Sequence, residues 1–266
     1  MQTIDLINMK GCKVIKFPDG ELHLELDGIN RKDCVSIKCR ITNSDDLFVL
    51  MQLSDILNRQ CMEVVGIDIF YLMGMRCDRL FDINRPFTLG IVANIINSFH
   101  ADIVRVYEPH SYRTISEIRH SIVQDVTMDN YTDCFAGSNV VFPDAGAKIR
   151  YSNLAAHSRV LCFKKRDEAT GALLDFVVEC NADVSQDDLI VIDDLCDGGG
   201  TFVGLAPKIR ALNPKSLSLL VTHAVQRKGI ENVAAVYDKV CITNSYKDWG
   251  KEDLPKNVIV IDIINK

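Results

Sequence analysis

The chain has no Lys/Arg-rich run, no Cys-x-x-Cys pair and no apolar stretch that reaches the ~20 residues of a membrane span. Each absence closes off a class. Thirty basic residues against 36 acidic ones leave a net charge of −6, so a nucleic-acid surface is not expected. Local basic residues can still take small anions. The ten cysteines (Cys12, Cys34, Cys39, Cys61, Cys77, Cys134, Cys162, Cys180, Cys196 and Cys241) do not alternate with histidine as zinc ligands do. Several lie in apolar runs, where cysteine acts as a small buried hydrophobe. Neither disulfides nor structural zinc is expected, and the reading is a reducing cytoplasm. Met1 to Asp5 shows no charged-then-apolar leader pattern, and no membrane partner is expected. What remains is ordinary globular composition, 47% hydrophobic and 25% charged over 266 residues, enough for one large or two modest domains.

The most informative stretch is Leu189-Ile-Val-Ile-Asp-Asp-Leu-Cys-Asp-Gly-Gly-Gly-Thr201. Leu189 to Ile192 are too few for a helix and carry the β-branched bias of a buried strand. Asp193 and Asp194 end that strand, Asp197 precedes Gly198, Gly199 and Gly200, and Thr201 opens a segment of helical period (Phe202, Leu205, Ala206, Ile209, Leu212). Glycines let backbone N–H groups close on a phosphate, and a helix N-terminus adds favourable partial charge. The paired carboxylates can accept hydrogen bonds from two vicinal sugar hydroxyls. These parts suit a ribose 5-phosphate unit.

Other segments follow in order. Lys13 to Phe17 and Leu22 to Leu26 predict a hairpin around Phe17-Pro18-Asp19-Gly20-Glu21, which by itself is a Pro-Asp-Gly turn. Asn43-Ser44-Asp45-Asp46 caps a helix with apolar residues from Leu47 to Leu57. Val64 to Phe70 is a buried strand running into Arg76-Cys77-Asp78-Arg79. Pro86 starts a helix, Ile103 to Tyr107 is a strand, and Glu108-Pro109-His110 follows it. Residues 111 to 137 are polar and contain the boundary between two halves. Asn139 to Phe142 is a strand, and Pro143-Asp144-Ala145-Gly146 turns into a helix through His157. Val160 to Phe163 leads into Lys164-Lys165-Arg166, three cations that are usually a solvated face. Further strands are Ser216 to Thr222, Val240 to Thr243 and Val258 to Ile261. Alternating strands and helices imply parallel sheets covered by helices, with sites beyond the carboxyl ends of the strands.

Asp193 to Thr201 resembles the phosphoribosyl-pyrophosphate loop of phosphoribosyltransferases and ribose-phosphate pyrophosphokinases, Asp-Asp-x-x-Asp-Thr-Gly-Gly-Thr, with Gly198 where the family has Thr. Seven colinear motifs resemble the pyrophosphokinases. Phe17, Asp19 and Glu21 match a Phe-Ser-Asp-Gly-Glu loop that reaches a neighbouring subunit's ATP site. Arg76, Asp78 and Arg79 match an ATP-contacting segment, with Cys77 replacing Gln. His110 corresponds to a histidine that helps hold Mg²⁺ with the ATP phosphates, and Asp144 to a second metal contact. Lys164 and Arg166 align with a Lys-x-Arg that opens a mobile catalytic loop. Thr222-His223-Ala224 is like the family's Thr-His-Gly/Ala.

The resemblance implies two phosphoribosyltransferase-like domains, each a mainly parallel sheet flanked by helices. Residues 1–135 would form an ATP-site and oligomerisation domain, and 136–255 a ribose-phosphate-binding domain. The strand at 256–266 would pack back on the first. Compared with the family, the chain lacks the strand and helix ahead of the hairpin loop. The implied reaction moves the β,γ-diphosphoryl group of ATP to the C1 hydroxyl of ribose 5-phosphate, in a homodimer or hexamer. Lys164 and Arg166 would be catalytic, with Asp193, Asp194, Asp197, Gly198, Gly199, Gly200 and Thr201 holding the acceptor. Gly198 removes a hydroxyl and adds room, which suits ADP-ribose as an alternative acceptor. A phosphoribosyltransferase would leave the ATP-side motifs unexplained. A silent regulatory subunit sits poorly with intact Lys164, Arg166, Asp193 and Asp194.

Overall fold

The computed structural model describes residues 1–30, 33–80, 82–166, 173–180 and 182–265. The chain divides into two units, Met1–Gln124 and Asp125–Lys266. The sequence reading placed the boundary at 135, eleven residues later, because the first helix of the second unit lies in the polar stretch that periodicity could not parse.

The first unit runs β1 (Gln2–Asp5), β2 (Cys12–Lys16), β3 (Leu22–Leu26), β4 (Val35–Ile41), α1 (Ser44–Arg59), β5 (Val64–Leu72), α2 (Thr88–Asn97), β6 (Val104–Tyr107), α3 (Arg113–Glu117) and β7 (Ser121–Gln124). Its sheet has the order β1-β4-β5-β6-β7, every neighbouring pair parallel. Parallel neighbours need crossovers, and right-handed crossovers stepping the same way put their helices on one face. Accordingly α1 packs on α2 and α2 on α3. Alternate residues of β4 (Val35, Ile37, Cys39, Ile41) are buried while those between are partly exposed. The strand expected to be missing ahead of the hairpin is present as β1, an edge strand too short and too polar to read from sequence. Among the described residues no helix precedes the ribbon. Asp5 closes a tight turn instead, exchanging backbone hydrogen bonds with Lys10 while its carboxylate accepts from the Ile7 and Asn8 N–H groups.

β2 and β3 pair antiparallel as a separate ribbon whose ends meet at Lys16 and Leu22. Gln52 of α1 fastens it, accepting from Leu24 N at 2.7 Å and donating to Leu22 O at 2.7 Å. The cap expected at α1 is present and is a full capping box: Asn43 accepts from Asp45 N and Asp46 N, and Asp46 accepts in return from Asn43 N.

The second unit runs α4 (Thr127–Phe135), β8 (Asn139–Phe142), α5 (Ala145–Arg150), a 3₁₀ turn (Ser152–His157), β9 (Ser158–Arg166), β10 (Leu173–Cys180), β11 (Asp188–Cys196), α6 (Gly200–Arg210), β12 (Ser216–Ala224), α7 (Arg227–Ala234), β13 (Lys239–Thr243), a 3₁₀ turn (Trp249–Lys251) and β14 (Val258–Ile261). Its seven strands are ordered β10-β9-β8-β11-β12-β13-β14, parallel except for β10. β14 pairs with β13 and so extends this sheet, where the sequence reading sent it to the first domain. β11 lies between β8 and β12 with Leu189, Ile190, Val191 and Ile192 all fully buried. Leu189 and Val191 pack with Phe202, Leu205, Ile230 and Val233 of α6 and α7. Ile190 and Ile192 pack with Tyr131, Phe135, Ala147 and Tyr151 around α4 and α5. A strand buried on both faces has no polar alternation, and that is why this one stood out in the sequence.

Replacing Asn43 by Ala removes the acceptor for two first-turn N–H groups of α1. It should lower stability by about 1 kcal/mol, read as a shift in the urea midpoint of the first unit.

Candidate functional site

In the second unit the residues converge at the carboxyl ends of β8 and β11. Asp193 and Asp194 lie inside β11, which continues to Cys196, so they do not end the strand as the sequence suggested. The ladder with β12 carries on past them to Cys196 and Ala224, and backbone pairing outlasts the apolar run. Arg150, in the last turn of α5, donates through Nη1 to Asp194 at 2.5 Å and to Asp193 at 3.3 Å. The Arg150 and Asp193 side chains are each 14% exposed and that of Asp194 is 2% exposed. Burial pushes the Asp193 carboxyl well above the usual carboxylate range, and the charges of Asp194 and Asp144 push the same way, against the pull of Arg150. The arginine therefore offsets part of a costly concentration of like charge.

Past β11 the chain enters α6 through Gly199, whose φ of 78° is left-handed and natural for glycine. No side-chain hydrogen bond caps α6, and an uncapped helix start leaves first-turn N–H groups for another acceptor. A Cβ added to Gly198 or Gly200 would meet no atom within 4 Å. The cradle has open space on that side.

Asp144 caps α5 through Oδ1, which accepts from Ala147 N at 2.9 Å. Among the described residues no group of three or more His, Cys, Asp or Glu gathers to hold a metal. Mg²⁺ arriving with a nucleotide needs only one or two protein donors beside phosphate and water oxygens, and the hard oxygens of Asp144 fit that chemistry. Lys164 and Arg166 lie on β9, paired in register with Phe176 and Leu173 of β10, a strand the sequence reading did not contain. Their side chains fall outside the described residues, as do residues 167–172, where a mobile loop was expected.

In the first unit, the loops after β5 and β6 are stitched together. Arg113 Nη1 donates to Asp78 O at 3.3 Å, and the His110 N–H lies 3.5 Å from Met75 Sδ. Asp78 is 4% exposed and accepts from Arg79 Nε at 2.9 Å and Nη2 at 3.1 Å. Arg79, with Ser111 assisting, holds the Asp78 carboxyl down at about 2. Asp78 thus serves to aim the exposed guanidinium of Arg79. Arg76 is exposed on the same loop, and His110 is partly buried. Phe17 to Glu21 forms the exposed tip of the β2–β3 ribbon, with Gly20 at φ 97° and Asp19 accepting from Glu21 N at 3.1 Å. His223 is fully buried and bonded to Ser245 Oγ at 2.9 Å, which makes it part of the frame.

Arg150 escaped the sequence reading. A cation in the last turn of a short helix is ordinary complementarity to the helix dipole, and nothing local marks it as facing two acids 43 and 44 residues away.

No family model matches the chain. It is 29% identical to a ribose-phosphate pyrophosphokinase of Campylobacter jejuni, over 94% of this chain and 83% of that one. It is 23% identical to one from Pyrococcus abyssi over 97% and 89%, and 26% identical to one from Hyphomonas neptunium over 94% and 84%. The fold superposes on a phosphoribosylpyrophosphate synthetase of Mycobacterium smegmatis with a TM-score of 0.78 at 18% identity, covering 95% of this chain and 86% of that one.

Asp78 has its carboxyl near 2 against an ordinary 3.8, so its ion pair stabilises the fold above about pH 4, and that contribution fades as pH falls toward 2. Asp78→Asn should cost about 1–2 kcal/mol at pH 7, after discounting for the exposed arginine. The gap to the wild type should narrow in denaturant titrations between pH 4 and pH 2.

The motifs, their order along the chain and the likeness over more than nine-tenths of its length identify it as a divergent relative of the ribose-phosphate pyrophosphokinases.

Proposed function

We propose that the chain transfers the β,γ-diphosphoryl group of ATP to the C1 hydroxyl of ribose 5-phosphate, releasing AMP and forming the 1-diphosphate. The observation that carries this reading is the juxtaposition in the second unit of a paired carboxylate with an uncapped helix start behind a glycine loop. Asp193 and Asp194 take the ribose hydroxyls. Asp197 opens the loop, whose N–H groups at Gly198 to Gly200 enclose the 5-phosphate with the hydroxyl of Thr201. Names carried by the sequence relatives support the same activity.

Phosphoryl transfer is mostly a matter of positioning and of stabilising negative charge on the group in flight. Arg76, Arg79 and His110 take the nucleotide, with Asp78 fixing the fork of Arg79. Lys164 and Arg166 stabilise the charge that develops on the transferred group. Asp144 would offer its carboxylate oxygens, and His110 its ring nitrogen, to Mg²⁺, which would neutralise phosphate oxygens when bound. No side-chain base is required, since the surrounding cations ease loss of the C1 hydroxyl proton. The exposed aromatic at Phe17, with Asp19 and Glu21 on the same tip, supports use of that ribbon by a neighbouring copy, as in a homodimer or hexamer. No described helix is long and apolar enough to cross a membrane.

A second acceptor has its own supporting observation. Space beside Gly198 and the lost hydroxyl suit a 5-phosphate that bears a further substituent, as ADP-ribose does. Incubation with ATP and each acceptor separately decides the matter: AMP release with ribose 5-phosphate is expected. Release with ADP-ribose alone would replace the first acceptor by the second. Release with neither would sink the transferase reading. Lys164→Ala should cut turnover by about 10²-fold or more while nucleotide affinity stays within a few fold, the mark of a group acting in the transition state.

A further inference from the structure

The glycine loop is held from behind by α7, which none of the motifs includes. Gln226, the residue preceding α7, donates from Nε2 to Asp197 Oδ1 at 2.6 Å. Asn232 donates from Nδ2 to Gly198 O at 3.1 Å. Between them, backbone meets backbone: a Cβ on Gly229 would sit 1.8 Å from Asp197 O, and a Cβ on Gly199 would sit 2.9 Å from Gly229 O. The loop glycines therefore divide by purpose. Gly199, with its partner Gly229, exists for close approach, whereas Gly198 and Gly200 face open space.

A phosphate cradle made of N–H groups binds well only when those groups are already aimed, because reorganising them on binding costs affinity. Side chains on the ligand side cannot do the aiming at Gly198, where the family's Thr is missing. α7 does it from the opposite side, by taking up the Asp197 carboxylate and the Gly198 carbonyl, two acceptors that would repel an anion. We infer that Gln226, Gly229 and Asn232 are positioning residues that set affinity for the acceptor's phosphate without touching it. This rests on reading the loop as the sugar-phosphate cradle.

Three variants test it on the full chain: Asn232→Asp, Gln226→Leu and Gly229→Ala. The ligands are ribose 5-phosphate and ADP-ribose, each titrated separately by calorimetry, followed by steady-state kinetics with ATP. Asn232→Asp keeps the shape of the side chain but exchanges the donor for a charged acceptor, so Gln226→Leu, which removes a donor without adding charge, is read beside it. Asn232→Asp should weaken acceptor binding about tenfold and raise the acceptor KM to match, with kcat and the KM for ATP within about twofold. Gln226→Leu should behave alike, and Gly229→Ala, which pushes the loop outward, should lose at least as much. Equal binding by wild type and Asn232→Asp, or a fall in kcat with no change in KM, would overturn the inference while leaving the cradle reading in place. A wild type that binds neither acceptor would overturn the cradle reading and this inference together. If Gly229→Ala does not fold, Gln226→Leu, which adds no charge, still decides.

Discussion

The second unit depends on burying β11 on both faces while making its next two residues carboxylates. Four consecutive apolar side chains alternate between two helical layers, and each contributes about 1.5–3 kcal/mol by leaving water. That burial fixes where the strand ends up to within a fraction of a residue spacing. The acids inherit the precision, because they extend the same ladder. A carboxylate pair on a loop would be cheaper to keep ionised but could not be held to one geometry.

The price of the arrangement is electrostatic, and Arg150 answers it. Two adjacent acids at the edge of a core repel each other and lose hydration, and Asp193 responds by holding its proton more tightly. One guanidinium between them restores part of the balance and orients both. The first unit solves a related problem in reverse: there the buried acid, Asp78, exists to direct an exposed arginine. In one case a cation serves two anions and in the other an anion serves a cation, and in both a buried ion is paired.

Glycine carries a second theme. Gly199 and Gly229 let a helix touch a loop at backbone distance, so the shape of the loop is settled by a contact thirty residues away in sequence. A loop with no side chain at Gly198 gains from such support, since rigidity substitutes for an additional bond.

Much of this was legible in the chain alone. Alternation located β3, the helical period located α1, and short apolar runs located β8, β14 and the buried β11, because local patterning follows from which faces water can reach. The motif at Asp193 to Thr201 was legible for the same reason: strand, acids, glycines and helix start lie within about a dozen residues, and their spacing alone places them together. Elements whose stability comes from pairing left no such trace. β1 is a polar edge strand, β10 borrows its register from β9, and β14 could be recognised as a strand but not assigned to a sheet. Arg150, Gln226 and Asn232 are ordinary polar residues in sequence, and only the tertiary structure turns them toward the loop and the acids. Side-chain chemistry and short-range order are written locally; which distant group each charge or amide will meet is decided when sheets assemble, because that choice depends on contacts between segments that share no stretch of chain.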